Sequence, residues 1–154
     1  MLQKRRDLGS IPDGLGTVEE NINKGSAVVR VINADTGEIT YKLPSTADEA
    51  KNIYGFVTLR IDDKLRTEKF YDVIEAGSKA VCYTLVKNNE WATTEFVGTE
   101  STLKYGTKLS VGYEGKNKGK LVVASGSDTA LFEVVGYTPA MGGYEDPLLT
   151  VKVL

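Results

Sequence analysis

From residue 25 onward, apolar and polar residues alternate in short runs that are bounded by turn-favouring residues. SAVVRVIN and GEITYKL are two such runs, separated by Ala34-Asp35-Thr36-Gly37. Successive side chains of a β-strand point to opposite faces, so this alternation predicts strands with one buried face. Asp and Gly between the runs predict a hairpin. The pattern continues in FVTLRID, KFYDVI, KAVCYTLV, EWATTEFVG, LKYGTKLSVGY, GKLVVAS, ALFEVVGYTP and PLLTVKVL.

Turn residues between these runs indicate how they are connected. Asn88-Asn89 predicts a hairpin between KAVCYTLV and EWATTEFVG. The segment GYEGKNKGKL predicts a polar hairpin turn, because its glycine and lysine spacing does not match the GxxxxGK[ST] loop that holds nucleotide phosphates. Gly142-Gly143, between Pro139 and Pro147, predicts a loop between the last two strands. The glycines expected at turns are Gly77, Gly106, Gly112, Gly115 and Gly119.

One segment, LPSTADEAKNIYG, breaks the alternation. Thr46 and Glu49 have the spacing of a capping box, and Gly55 is a helix-ending residue, so we expect one short helix of about two turns. The whole chain is predicted to be all-β, as a β-sandwich or partly open β-barrel of about nine to ten strands with this one helix. The predicted core is Val29, Val31, Leu43, Val57, Leu59, Val81, Tyr83, Trp91, Leu109, Val111, Val123, Phe132, Val134, Leu149 and Val151. On FVTLRID, Phe56 is expected on the wet face, opposite Val57.

Residues 1–24 show neither the strand nor the helix period and contain three glycines and a proline. They are predicted to form an extended N-terminal arm, followed by a single β-rich domain over 25–154. Two interpretations stay open, because a plain mobile terminus and an arm that orders on a neighbouring subunit have the same composition. The residues expected to contact a partner are Leu8, Ile11, Leu15 and Val18.

Composition removes several functional classes. The 154 residues carry a net charge of −2 and no histidine, which disfavours nucleic-acid binding, anionic membranes and most acid-base or zinc chemistry. The single cysteine, Cys82, lies in an apolar strand and is expected to be buried and inert. We expect neither a cleaved signal segment nor a membrane span.

Carboxylates are the remaining side chains that could serve as catalytic acids or bases. The adjacent or nearby pairs are Asp62-Asp63, Asp72 with Glu75, Glu90 with Glu95, and Glu145-Asp146. All lie at predicted strand ends or turns, where acidic residues are usually solvated, and none has calcium-loop spacing. We therefore expect no enzymatic activity, cofactor or metal site. Tyr137 and Tyr144 are the aromatic residues expected at the surface.

The succession DVIEAGSKAVCYTLVKNNEWATTEF, LKYGTKLSVGYEGKNKGKLVVAS, TALFEVVGYTP and LLTVKVL, over residues 72–154, resembles the head-decoration or capsid cement proteins of tailed bacteriophages. The resemblance lies in Ala76-Gly77 before Val81, Leu103 to Gly106 before Leu109, Gly119 before Leu121, and Phe132 to Val135. It implies a non-enzymatic virion protein, made in the host cytoplasm, that binds the outside of an icosahedral head and bridges capsomers. The implied partners are the major capsid protein and further copies of the chain, a trimer being one form.

Two alternatives remain from the residues alone. The first is another β-sandwich binding module of a phage tail, baseplate or cell surface that contacts carbohydrate through exposed aromatic residues. The second is a small hydrolase that uses two carboxylates.

Overall fold

A computed structural model of the chain describes residues 1–59, 73–126, 128–140 and 146–154. These ranges are almost entirely β, as predicted, with 14 strands and one α-helix. The strands are β1 Leu2–Arg6, β2 Pro12–Asp13, β3 Thr17–Val18, β4 Ile22–Asn23, β5 Ala27–Ile32, β6 Ile39–Lys42, β7 Gly55–Thr58, β8 Val73–Ile74, β9 Val81–Thr84, β10 Glu90–Thr93, β11 Lys108–Val111, β12 Leu121–Val123, β13 Phe132–Thr138 and β14 Leu148–Val153. The helix α1 spans Ala47–Lys51, and a 3-10 turn spans Gly115–Asn117. The ten strands from β5 to β14 agree with the predicted number.

The strands form a sandwich-like arrangement of two large sheets and one small one. The first sheet has the order β1-β10-β14-β13-β11-β12, the second has the order β2-β9-β7-β5-β6-β3, and β4 pairs with β8. The second sheet curls, because residues just before β9 return to its far strand: the Val18 amide donates to the Ser78 carbonyl at 3.0 Å, and the Gly77 amide donates to the Val18 carbonyl at 2.8 Å. The predicted sandwich or partly open barrel is confirmed.

Two separate hydrophobic cores result from this curl. Between the sheets, the Phe56 ring lies 6.1 Å from Trp91 and 5.3 Å from Phe132, measured between ring centroids. Inside the curled sheet, Val57 packs with Val28 and Cys82. Strand β7 is therefore buried on both faces, and the expectation that Phe56 faces solvent was wrong, because its sheet lies between two cores rather than over one.

The first 24 residues are extended, as predicted, but they pair with their own domain. Strand β1 belongs to the first sheet, β2 and β3 belong to the second, and β4 pairs with β8. Val18 and Ile22 are fully buried in the second core. Covering the inner face of the curled sheet removes apolar area from water, which stabilises this part of the segment against the domain. Residues on both sides of the expected boundary at residue 24 therefore share the same sheets and the same hydrophobic core.

The turn at Asn88-Asn89 exists, but the predicted hairpin does not. Asn88 has a φ of +68°, whereas β9 belongs to the second sheet and β10 to the first. The chain changes sheet at this corner. The buried Asn89 side chain holds the corner, since its oxygen accepts a hydrogen bond from the Leu8 amide at 2.7 Å. Turn chemistry predicts a change of direction and does not specify which strand pairs with which.

The other two predicted hairpins are confirmed, because β5 pairs with β6 and β11 with β12, both antiparallel. Strands β13 and β14, between which only a loop was predicted, also pair antiparallel. Of the five turn glycines, all except Gly112 have positive φ. Gly112 is needed for close approach instead, because a Cβ there would collide with the Asn117 carbonyl.

The helix begins as predicted but is shorter. The Thr46 hydroxyl caps it by accepting from the Glu49 amide at 3.2 Å. The Glu49 carboxylate accepts a hydrogen bond from the Ser45 amide at 2.7 Å and forms an ion pair with Lys42 at 2.6 Å. The contact with Lys42, followed by the hydrogen bonds from Ser45, lowers the pKa of Glu49 to about 2. The helix ends at Lys51 rather than near Gly55. Gly55 begins β7, where a Cβ would collide with the backbone of β9.

Ten of the fifteen predicted core residues are buried, three are half-buried and two are exposed. Tyr83, Leu43 and Leu59 are half-buried. Val31 is exposed because β7 pairs with β5 only at Ala27 and Val28, so the end of the β5–β6 hairpin projects beyond its neighbour. Val123 is exposed because it ends the edge strand β12. The buried members are Val29, Val57, Val81, Trp91, Leu109, Val111, Phe132, Val134, Leu149 and Val151.

Cys82 lies in the second core with no exposed surface. Burial, followed by the negative charge of Asp13, raises the pKa of the Cys82 thiol, so the reactive thiolate is scarce at neutral pH. We predict that a thiol-specific aromatic disulfide reagent modifies Cys82 only when the protein unfolds. The measurement is labelling rate against urea concentration, compared with a variant carrying Tyr105→Cys at an exposed turn. Equal rates for the two thiols in the native protein would contradict the prediction.

Candidate docking face

Three of the four arm residues expected to contact a partner lie at the surface. Leu8, Ile11 and Leu15 are 50%, 69% and 77% exposed. Val18 is only 1% exposed and belongs to the core, so its expected role in partner contact is corrected. The Val18 side chain packs in the second core, whereas Leu8, Ile11 and Leu15 remain in contact with water.

Asp13, between Ile11 and Leu15, points in the opposite direction. One carboxylate oxygen accepts from the Tyr54 hydroxyl at 3.0 Å and lies 3.1 Å from the Arg30 Nε. The other accepts from the Leu15 amide at 3.1 Å. The Tyr41 hydroxyl donates to the Asp13 main-chain carbonyl at 2.9 Å. Three residues from distant parts of the chain, Arg30, Tyr41 and Tyr54, thus converge on Asp13, together with the nearby Leu15 amide.

The electrostatics of this cluster favour a charged Asp13. Partial burial raises the pKa of the Asp13 carboxyl, but the hydrogen bonds from the Leu15 amide and Tyr54, with the charge of Arg30, outweigh it and the net pKa is lowered. Burial, followed by the hydrogen bond to Asp13, raises the pKa of the Tyr54 hydroxyl. The Arg30 guanidinium also lies 5.3 Å from the centre of the Tyr54 ring. The cluster is therefore an anionic carboxylate held by neutral hydroxyls and a cation.

Further apolar side chains extend this surface. An open hollow of about 620 Å³ is lined by Ile11, Pro12, Leu15, Arg30 and Tyr54, among others. The Ile39 side chain lies beside Gly16, the neighbour of Leu15: a Cβ added to Gly16 would be 3.0 Å from an Ile39 methyl group. Ile32, paired with Ile39, is exposed. We define the docking face as Ile11, Pro12, Leu15, Ile32 and Ile39, surrounding Arg30 and Tyr54.

This composition is typical of a protein interface. Contiguous exposed apolar surface is uncommon on proteins that act alone. Tyrosine and arginine are enriched among the residues that contribute most to interface affinity, especially where apolar neighbours exclude water. The composition of the face is therefore suited to contact with another protein surface.

Of the four carboxylate pairs, only Glu90 with Glu95 lies wholly within the described residues. Glu90 begins β10, and Glu95 lies beyond its other end, where it accepts from Asn23. At about 3.3 Å per residue, a four-residue strand separates its ends by about 10 Å. Asp62-Asp63, Asp72, Glu145 and Tyr144 lie outside the described residues, so the pairs that include them are not tested. Within the described ranges, no group of three His, Cys, Asp or Glu could hold a metal ion.

A row of alternating charges occupies the outer face of the first sheet. Five neighbouring strands, β1, β10, β14, β13 and β11, each contribute one residue to this row, and the residues are in register: Arg6, Glu90, Lys152, Glu133 and Lys108. Glu133 contacts Lys108 and lies 3.2 Å from Lys152, and these lysines lower the pKa of its carboxyl. Opposite charges on neighbouring strands support this register.

The surface aromatic residues do not form a row in the described ranges. Tyr137, expected at the surface, is half-buried and meets Phe96 edge to face at 6.0 Å. Tyr105, in a turn, is 80% exposed and was not predicted. Among the helices described, none has the length and apolar character to cross a membrane.

Comparison with solved structures shows a likeness to a phage protein. No family model matches the chain, and no curated protein matches its sequence. The N base of the head fiber protein gp8.5 of bacteriophage phi29, known from a crystal structure, aligns with a TM-score of 0.51 over 100% of this chain and 95% of that one. The two chains share a fold. The sequences are 14% identical, so the likeness concerns the fold alone. It includes residues 1–71, which the sequence resemblance to capsid decoration proteins did not cover.

Proposed function

We propose that the chain is a structural protein of a bacteriophage head, which attaches to the outside of the assembled shell through the docking face. The observation that carries the proposal is the fold shared with a phage head fiber base along the whole chain. The decoration or cement role implied by residues 72–154 agrees with it. The proposed partner is the major capsid protein, and the proposed location is the exterior of the virion head.

The chemistry of the surface supports attachment rather than catalysis. A stable interface buries about 1,200 to 2,000 Å² in total, and the docking face offers an apolar centre with an arginine and a tyrosine within it. Such a role requires a rigid β scaffold and no titratable catalytic group. A repeated shell also presents many equivalent sites, and copies that associate with one another, for instance as a trimer, gain further affinity by binding several sites at once.

The test is the copy number of this chain in purified virions. Quantitative mass spectrometry would compare it with the most abundant shell protein, and gradient-purified heads would be compared with detached tails. We expect a simple ratio to the shell protein and recovery in the head fraction. Recovery with the tails would favour a tail or baseplate module, and absence from virions would overturn the proposal and favour the carbohydrate-binding alternative, which glycan binding would then test.

A further inference from the structure

The docking face depends on a segment with weak backbone support. Strand β2 has two residues and pairs with Cys82 and Tyr83, at the edge of the second sheet. On either side of it, the Ile11 carbonyl accepts from the Thr84 amide at 3.3 Å and the Gly16 carbonyl accepts from the Ala80 amide at 3.1 Å. Pro12 has no amide hydrogen to donate to that ladder. Gly9, Gly14 and Gly16 surround the strand, and glycines increase the conformational freedom that ordering removes. Backbone pairing alone leaves residues 9–16 poorly restrained.

Side chains supply the missing restraint. The Asp13 carboxylate, whose side chain is 9% exposed, contacts Tyr54, Arg30 and the Leu15 amide. The Asp13 carbonyl accepts from Tyr41, which is fully buried. The Asp13 side chain points inward, whereas Ile11 and Leu15, which lie just outside the two-residue strand β2, are exposed to solvent.

We propose that Asp13 and Tyr41 are positioning residues that hold Ile11 and Leu15 in the binding geometry before the partner arrives. This inference rests on the proposed function and deepens it, because it assigns part of the affinity to buried groups that do not touch the shell. A segment that is ordered only part of the time binds with an affinity reduced by its competent fraction. Loss of the Asp13 contacts therefore slows association, whereas loss of a contacting side chain speeds dissociation.

The first measurement is hydrogen exchange on the isolated full-length chain. Asp13→Asn and Tyr41→Phe are compared with Tyr105→Phe, which changes a tyrosine outside the cluster. We expect amides in residues 8–16, including that of Leu15, to exchange about tenfold faster in the two cluster variants and unchanged in the control. Exchange that stays at the wild-type rate in both cluster variants would overturn the inference.

The second measurement is binding kinetics on purified heads that lack the chain. We expect Asp13→Asn and Tyr41→Phe to lower the association rate about tenfold at a similar dissociation rate, and Ile11→Ala to raise the dissociation rate. Faster exchange with unchanged association would overturn the positioning role. If the wild-type chain itself does not bind heads, the proposed function and the positioning role in it both fail, and the exchange result still shows whether the cluster orders the segment.

Discussion

Replacing both Ile11 and Leu15 with aspartate is expected to abolish attachment of the protein to phage heads while leaving the protein folded. Both side chains are mostly exposed in the free chain, so their loss removes little from the native core. In the complex, each buried apolar side chain contributes about 1.5 to 3 kcal/mol, and the new carboxylates would be buried without partners. The sum exceeds about 4 kcal/mol, which lowers affinity by about a thousandfold.

Co-sedimentation with heads would measure this effect, and thermal unfolding would check the fold. The control is a variant with Val97→Asp and Tyr105→Asp, which changes two exposed residues away from the docking face. The control is expected to attach like the wild type. Attachment of the Ile11 and Leu15 variant at wild-type strength would show that this face is not the one that meets the shell.

Truncating Phe56 to alanine is expected to give the largest loss of stability of any change described, about 3 to 5 kcal/mol. The ring is fully buried and packs against Trp91 and Phe132. It projects from a strand with cores on both faces, so the surrounding backbone cannot collapse readily into the cavity. A domain of this size has a free energy of unfolding of about 5 to 15 kcal/mol, so the loss is a large fraction of the total.

Urea unfolding followed by tryptophan fluorescence would measure it, since Trp91 is the single tryptophan. Tyr105→Ala, at an exposed turn, is the matched control and is expected to change stability by less than about 0.5 kcal/mol. A loss below about 1 kcal/mol for Phe56→Ala would mean that the core between the sheets repacks or is not formed as described.

The candidate site was predictable in part. Ile11 and Leu15, which lie on the docking face, were expected at an interface, as was Leu8, which is exposed but lies outside the face as defined. Apolar residues in an extended, glycine-rich segment have no local core to enter. Arg30 and Tyr54 were not predicted, because they lie in a strand and a connection distant in sequence from the arm. Their one signal was an arginine and a tyrosine within otherwise apolar runs. Only the folded chain brings them to Asp13.

Val18 and Asn89 show why the remaining assignments failed. Val18 resembles Leu15 in its local sequence, yet one is buried and the other exposed, because the curl of the second sheet closes over the former. Asn88-Asn89 is a pair of residues typical of a hairpin turn, yet the chain passes from the second sheet to the first there. In both cases the outcome depends on contacts between residues far apart in the chain, to which local periodicity is insensitive.

The sequence by itself determined the all-β class, the hairpins β5–β6 and β11–β12, the helix cap at Thr46 and the burial of Cys82. These features follow from side-chain alternation and from turn and cap chemistry, which act between near neighbours. The tertiary structure decided which strands share a sheet, that Phe56 and Val57 enter different cores, and that most of the arm packs on its own domain. Burial of apolar area is non-directional, so its final distribution is settled only when distant segments meet.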